Sequence, residues 1–402
     1  MKHFFPLLLA FVCTAALAES APAQEPVDIG NITVSVDAKM LSVHVSANTP
    51  DLNALAMQAF RAHGRYALVN SGGQFDIKFT LLAPTQVRVD ITKGAAATPV
   101  HSQVVTGTSS RNALLRAADV AVEKTNGLGL RGFFASRLAF VSSRGRTEEI
   151  LVGDLFFGEI RQLTQDRAQM LSPRWSPDGS RLVYTSFYKS GFPDIFQIDL
   201  NTYQRTTLVS LKGTNSGARF SPNGQEIAMV LSGEGNPEIY VGNSQGRLLR
   251  RLTHTDAVEA SPCFSPDGSR LVFTSDAAGG PQLYTMPVSG GTMTRLPTAI
   301  SGYCAEPDWS RGNPNRIAFT MKIGRGYQIA VYDLATHQSQ QVSKAPFDGV
   351  EPSWLADGRH LVYTARTTSD SRICILDTET GKSTTVTPGG LGLAMQASVH
   401  DP

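Results

Sequence analysis

One five-residue word returns along the C-terminal two thirds of this chain at a nearly constant interval. Trp175-Ser176-Pro177-Asp178-Gly179 is followed by Phe220-Ser221-Pro222-Asn223-Gly224 and by Phe264-Ser265-Pro266-Asp267-Gly268. Trp309-Ser310-Arg311-Gly312-Asn313 and Trp354-Leu355-Ala356-Asp357-Gly358 are worn copies. The aromatics stand 45, 44, 45 and 45 residues apart. A fixed period of this length signals a repeat architecture, whose units bury their apolar faces against their neighbours.

The word itself reads as a turn. Ser-Pro-Asp-Gly suits type I: Pro presets φ at the second position, Asp tolerates the third, and Gly relaxes the exit. A strand of alternating polarity follows, as in Arg181-Leu182-Val183-Tyr184-Thr185-Ser186 and Arg270-Leu271-Val272-Phe273-Thr274-Ser275. Further strands are expected at 194–200 and 282–288, and then at 205–209 and 294–296. With the strand that carries the aromatic, each unit holds four strands. That is the content of a β-propeller blade, and the large aromatic is placed to wedge between blades.

The second-strand motif recurs at Arg137, Arg181, Glu226, Arg270, Arg316 and His360, which makes six blades. The first copy lacks its aromatic strand, since 131–136 reads Arg-Gly-Phe-Phe-Ala-Ser. One period beyond Trp354 lies Val399, in the last apolar segment of the chain. The C-terminal strand is therefore expected to complete the first blade and close the ring, removing the open edge of a linear stack.

Upstream of the repeats the pattern changes. Residues 1–18 read as a cleaved secretory signal: Lys2 and His3, an apolar run over 4–17, and Ala16-Leu17-Ala18 as the small-x-small site. Bulky Val12 before Cys13 argues against lipidation. Residues 19–29 are a lead-in rich in Ala, Pro, Gln and Glu. Alternation at Ile32, Val34 and Val36 and at Leu41, Val43 and Val45 predicts strand. Thr49-Pro50 starts a helix that Gly64 is expected to stop. Strands follow at 66–69, 75–82 and 87–91, then a helix over 111–125 capped by Ser109 or Ser110. The fold class is thus two-domain: a small α+β N-terminal domain (19–130), followed by an all-β six-bladed β-propeller (131–402) closed by the C-terminal strand. A formal charge of +2 argues against a general attraction to nucleic acid. No membrane span is expected after the signal is removed, and the chain is taken as a monomer.

Two motifs match by letters only. Gly127-Leu128-Gly129-Leu130-Arg131-Gly132 spells a dinucleotide fingerprint, but a helix precedes it and a strand follows, the reverse of what that site needs. It reads as the interdomain linker. Gly242-Asn243-Ser244-Gln245-Gly246 spells a nucleophile elbow, yet Ser244 falls in a turn between blade strands and no doubly wound domain follows. Cys263, Cys304 and Cys374 lie in the repeats without metal-ligand spacing and read as buried thiols. The histidines are scattered, with no pair at ligand spacing. No catalytic constellation, cofactor or metal site is expected. Acidic residues do recur just before the aromatics, at Glu259, Glu306, Asp348 and Glu351. In a propeller these loops face the central channel or its mouth, and the carboxylates are expected to be solvated there.

The repeat aromatic-Ser-Pro-Asp-Gly-x-Arg-Leu-Val-Phe-Thr-Ser, followed by Leu-Tyr-x-Met and x-Gly-Gly-x-x-x-Arg-Leu, resembles the WD40-like repeats of the TolB propeller family. So does Leu138-Ala139-Phe140-Val141 after an α+β region and a Gly-rich joint. The resemblance implies a periplasmic, non-enzymatic part of the Tol–Pal envelope system. It implies that a Pal-like peptidoglycan-associated lipoprotein binds at the channel mouth and that a TolA-like inner-membrane protein meets the N-terminal segment, for which 27–36 is the best match. The family's Pal-facing positions carry over to Thr214, Gly217 and Ala260. With the acidic positions, the expected partner-binding set is Thr214, Gly217, Glu259, Ala260, Glu306, Asp348 and Glu351. The alternatives are a propeller serving another periplasmic complex, or a hydrolase using Glu306 and Glu351 as paired carboxylates.

Overall fold

The computed structural model describes residues 40–145 and 147–401. The expected signal with Cys13, the lead-in, and the segments at 27–36 and 32–36 lie outside the described residues. Within them the chain folds into a five-stranded mixed sheet with two helices, followed by six four-stranded antiparallel sheets.

The N-terminal elements are β1 (Leu41–Ala47), α1 (Pro50–Ala62), β2 (Tyr66–Leu68), β3 (Phe75–Ala83), β4 (Gln86–Lys93), β5 (His101–Thr106) and α2 (Ser110–Thr125), with sheet order β2-β1-β3-β4-β5. Leu52, Leu55, Ala56, Ala59 and Phe60 recur on one face of α1 and are buried. Thr49 stands at the N-cap without a side-chain bond, whereas Ser109 caps α2 by accepting from the Asn112 amide. The expectation for Gly64 is corrected. The helix already ends at Ala62, and Gly64 is required by packing: a Cβ there would lie 1.9 Å from Asp377 Oδ2 in the last blade.

The Gly-rich stretch between the two regions is an ordered joint. Gly127 and Gly129 take φ of +69° and +72°, which favours glycine, and Gly132 lies against Asp119 where no side chain fits. Asn126 ties the joint together, accepting from the Leu128 and Leu130 amides and donating to the Val122 carbonyl. The Asp119 carboxyl accepts from the Phe134 and Ala135 amides, and burial pushes it up to about 7. One apolar core runs from both helices through Phe133 and Phe134 into Leu138, Leu355, Ile373 and Val386 of the first and last blades.

The ring closes as the period implies. Leu393–His400 pairs antiparallel with Arg137–Arg144, from Leu393↔Ser143 to His400↔Arg137, and forms the innermost strand of blade one. Innermost strands of the other blades are Met170–Trp175, Asn215–Phe220, Glu259–Phe264, Cys304–Trp309 and Asp348–Trp354. The repeated aromatic sits at the end of each of these five and is buried between blades. Trp175 Nε1 donates to the Ser398 carbonyl at 3.2 Å and Trp354 Nε1 to the Asp308 carbonyl at 3.0 Å, each in the preceding blade. The arginine that opens the second strand covers the next blade's aromatic: Arg137 over Trp175, Arg181 over Phe220 and Arg270 over Trp309, at 4.6, 4.8 and 6.0 Å. The turn word closes the first hairpin of the blade. The Gly179 amide bonds the Ser176 carbonyl at 2.9 Å, and Gly179 has φ +67° with the His400 ring directly against it.

Candidate functional site

The innermost strands share an irregularity that shapes the channel. Each breaks register with its neighbour three residues before the aromatic position, as a β-bulge. The bulge residues are Ser172, Gly217, Ser261, Glu306, Glu351 and Gln396, and all six take positive φ, between 52° and 63°. Proline follows at 173, 262, 307 and 352, where it removes an amide that the broken ladder would leave unpaired. Left-handed backbone at non-glycine residues is costly and clusters at functional sites. Here it turns the five side chains of the ring, and the bare Cα of Gly217, toward one mouth of the channel.

Half of this ring is occupied. Glu306 Oε2 accepts from the Glu351 amide at 3.1 Å, Glu351 Oε2 from the Gln396 amide at 3.0 Å, and Gln396 Oε1 from the Ser172 amide at 2.7 Å. Each long side chain thus reaches round to hold the bulge of the next blade. Thr320 and Thr364 hydroxyls donate to the two carboxylates at 2.7 and 2.8 Å. The other half carries the small residues Ser172, Gly217 and Ser261. There the mouth opens into a cavity of about 130 Å³, lined also by Leu171, Thr214, Val258 and Pro262.

The floor of the cavity is cationic. Arg174 and Arg219, one residue before their aromatics, line both this cavity and a second one of about 430 Å³ at the opposite end of the channel, so they form the partition between the two. Arg219 pairs across the channel with Asp308 and donates to Cys263 Sγ at 2.7 Å. Asp308 also accepts from the Trp354 amide at 2.8 Å. Among the described residues no carboxylate lies within ion-pair distance of Arg174. Its Nη1 donates to the neighbouring Pro173 carbonyl at 3.0 Å. Burial, then the Arg219 charge, brings the Arg174 guanidinium down to about 10, so it remains a cation at neutral pH.

Of the residues singled out from sequence, Thr214, Gly217, Glu259, Ala260, Glu306 and Glu351 line this mouth. Asp348 does not. It lies at the start of its strand, paired to Arg366 at 3.1 Å and accepting from the Tyr327 amide. The picture of solvated carboxylates is also corrected. Glu259 is fully buried, accepting from Thr255 and Ser275 hydroxyls, and burial followed by the neighbouring Glu238 pushes it up to about 7. Glu306 is likewise pushed up to about 7, by burial first and then by the Glu351 charge. Sequence reasoning missed Ser172, Ser261, Gln396 and the two arginines. The signal was present, in the proline two residues before four of the aromatics.

The remaining motifs resolve simply. Ser244 sits in a hairpin turn organised by Asn243, and among the described residues its hydroxyl accepts only from the Gln245 amide group. Cys263, Cys304 and Cys374 are free buried thiols. Among the described residues no helix is long and apolar enough to cross a membrane.

The family described as the TolB beta propeller domain matches residues 125–396. The Tol-Pal system protein TolB of Desulfosudis oleivorans is 37% identical over 127 residues, 32% of this chain and 28% of that protein. The protein of the same name from Bordetella pertussis is 33% identical over 146 residues, 36% of this chain and 33% of that protein. The aligned part thus spans about a third of the length of these curated relatives. The crystal structure of TolB from Acinetobacter baumannii superimposes with a TM-score of 0.79, over 90% of this chain and 96% of that one, at 22% identity. At that identity the likeness shows the fold.

Proposed function

This chain belongs to the TolB β-propeller family, and on that premise we propose that it is a non-enzymatic periplasmic scaffold of a Tol–Pal envelope system. In this reading residues 1–18 are the cleaved signal, 19–130 an α+β domain and 131–402 the propeller. The propeller mouth receives a Pal-like peptidoglycan-associated lipoprotein, and the N-terminal region meets a TolA-like inner-membrane protein. The assembly supports outer-membrane integrity and constriction at division.

The observation that carries this reading is the asymmetric mouth. Three bulge side chains are pinned to the rim, while Ser172, Gly217 and Ser261 leave a shaped recess above a buried cation. A rigid ring with one open recess suits insertion of a protruding loop from a partner. The surrounding blade loops offer area for a specific interface of roughly 1,200–2,000 Å². Hydrolysis by Glu306 and Glu351 is disfavoured, because each carboxylate is already held by a backbone amide and a threonine hydroxyl and is not poised on a substrate.

Gly217→Trp tests the docking site. The other five ring positions carry side chains at the same φ, so the backbone accepts one at Gly217, and an indole there fills the recess. Binding of a purified Pal-like lipoprotein, measured by calorimetry, should weaken by about tenfold or more, or about 1.4 kcal/mol. Unchanged affinity in a folded variant would remove the recess from the interface.

A further inference from the structure

Two histidines from opposite ends of the chain meet where α1 abuts the last blade. His63 follows α1, and His360 opens the second strand of blade six. Both are fully buried, with ring centroids 4.4 Å apart. Phe133 lies against both rings, and Tyr66 and Phe134 pack on His63. One donor atom from each of His63, Asp357 and His360 lies within 4.8 Å of the other two.

The hydrogen bonding leaves a specific gap. Asp357 Oδ2 accepts from His360 Nδ1 at 2.6 Å, which places the proton on Nδ1 and leaves Nε2 as a bare lone pair. Among the described residues that Nε2 has no hydrogen-bond partner, and neither has His63 Nε2. Buried polar atoms are seldom left unpaired. Two such nitrogens in one aromatic-walled joint therefore point to a shared ligand. Asp377 Oδ2 lies 3.8 Å from His360 Nε2 and touches the chain at Gly64, where any side chain would crowd the joint.

We propose that the domain joint is a transition-metal site of the zinc class, with His63 Nε2 and His360 Nε2 as ligands and Asp357 orienting His360 from behind. A carboxylate behind a ligating imidazole is the usual second-sphere support of such sites, and two imidazoles favour zinc, cobalt, nickel or copper over calcium or magnesium. Asp377, which already accepts from the Arg359 guanidinium at 2.9 and 2.7 Å, keeps a free lone pair on Oδ2 to serve as a third ligand, and water completes the set. The Arg359 guanidinium beside it is neutralised by Asp377 and Glu379, both at 2.7 Å. Ligation moves the single His63 ring proton from Nε2 to Nδ1 and gives up a long 3.3 Å contact from the Arg65 amide. The site clamps α1 to the last blade, so it couples metal occupancy to the docking of the two regions.

The test uses the untagged mature chain after chelator treatment. Titration with Co²⁺ should give one equivalent bound and the intense visible bands of a four-coordinate ion, displaced by Zn²⁺. His63→Phe keeps the aromatic packing and removes the ligand. It should weaken Zn²⁺ binding at least about 100-fold, as expected for loss of a direct ligand, and abolish the zinc-dependent rise in melting temperature. A readout independent of any variant is pulsed EPR of the Cu²⁺-loaded chain, which should count two imidazoles. Absence of stoichiometric binding, fewer than two imidazoles, or equal binding by His63→Phe would each overturn the site and leave a water-bridged histidine pair in its place.

Discussion

Asp308→Asn is the substitution whose cost the channel most directly determines. It removes the anion from a partition that holds two arginines and keeps an oxygen to accept from the Trp354 amide, now 2.8 Å away. The Arg219 side chain is 17% exposed and that of Asp308 12%, so the pair is largely desolvated. Breaking a buried pair by removing one partner costs about 3–5 kcal/mol, because the other charge stays buried without compensation. The residual exposure of Arg219 points to the low end, about 3 kcal/mol. Arg174 adds to the penalty, since its own shift already registers the Arg219 charge. Arg219→Met together with Asp308→Asn removes both charges and should return to within about 1 kcal/mol of the parent, since an apolar replacement of such a pair is often neutral. The assay is urea unfolding followed by circular dichroism and by tryptophan fluorescence. Trp175, Trp309 and Trp354 lie at blade joints and report the ring directly. Coincident transitions are required for the free energies to be comparable. Strictly additive single and double substitutions, with coupling below about 0.5 kcal/mol, would mean that the two charges do not sense one another and would refute the reasoning.

Deleting residues 393–402 removes the innermost strand of blade one and reopens the ring, so the melting temperature should drop sharply; a scanning calorimetry trace that does not move would show that closure contributes little. Glu306 should make stability depend on pH. Its folded-state carboxyl is raised to about 7, so the stability it confers is fully present below its ordinary range and is lost as pH rises through about 7. Glu306→Gln should therefore melt higher than the parent at pH 8, with the gap narrowing toward pH 5. A gap that widens on acidification would contradict the assigned direction.

What was legible in the sequence was whatever repeats with the period. Trp175, Phe220 and their equivalents announce the blades, Ser176-Pro177-Asp178-Gly179 announces the hairpin, and the offset to Val399 announces the closing strand. These are local or periodic features, and one blade's chemistry reads the same in the next. Even the role of Arg137, Arg181 and Arg270 as covers for the following aromatic rests on a nearly constant spacing of 38 or 39 residues, visible once the blades are aligned. The mouth is different, because ring geometry brings equivalent positions of adjacent blades into contact and the outcome depends on which side chains meet. Glu306 and Glu351 read from the sequence as solvated carboxylates. The ring turns them sideways onto the bulge amides of Glu351 and Gln396, which ties them down half-buried and leaves the recess at Ser172, Gly217 and Ser261. Asp348, close to Glu351 in sequence, falls outside the mouth because it precedes the bulge. The joint between the two regions follows the same logic. His63 and His360 share no spacing that a sequence can show, and only the packing of α1 on the closed ring sets their rings side by side. Periodic spacing therefore determined the architecture, while the contacts across its seams, made by residues far apart in the chain, were decided by tertiary structure.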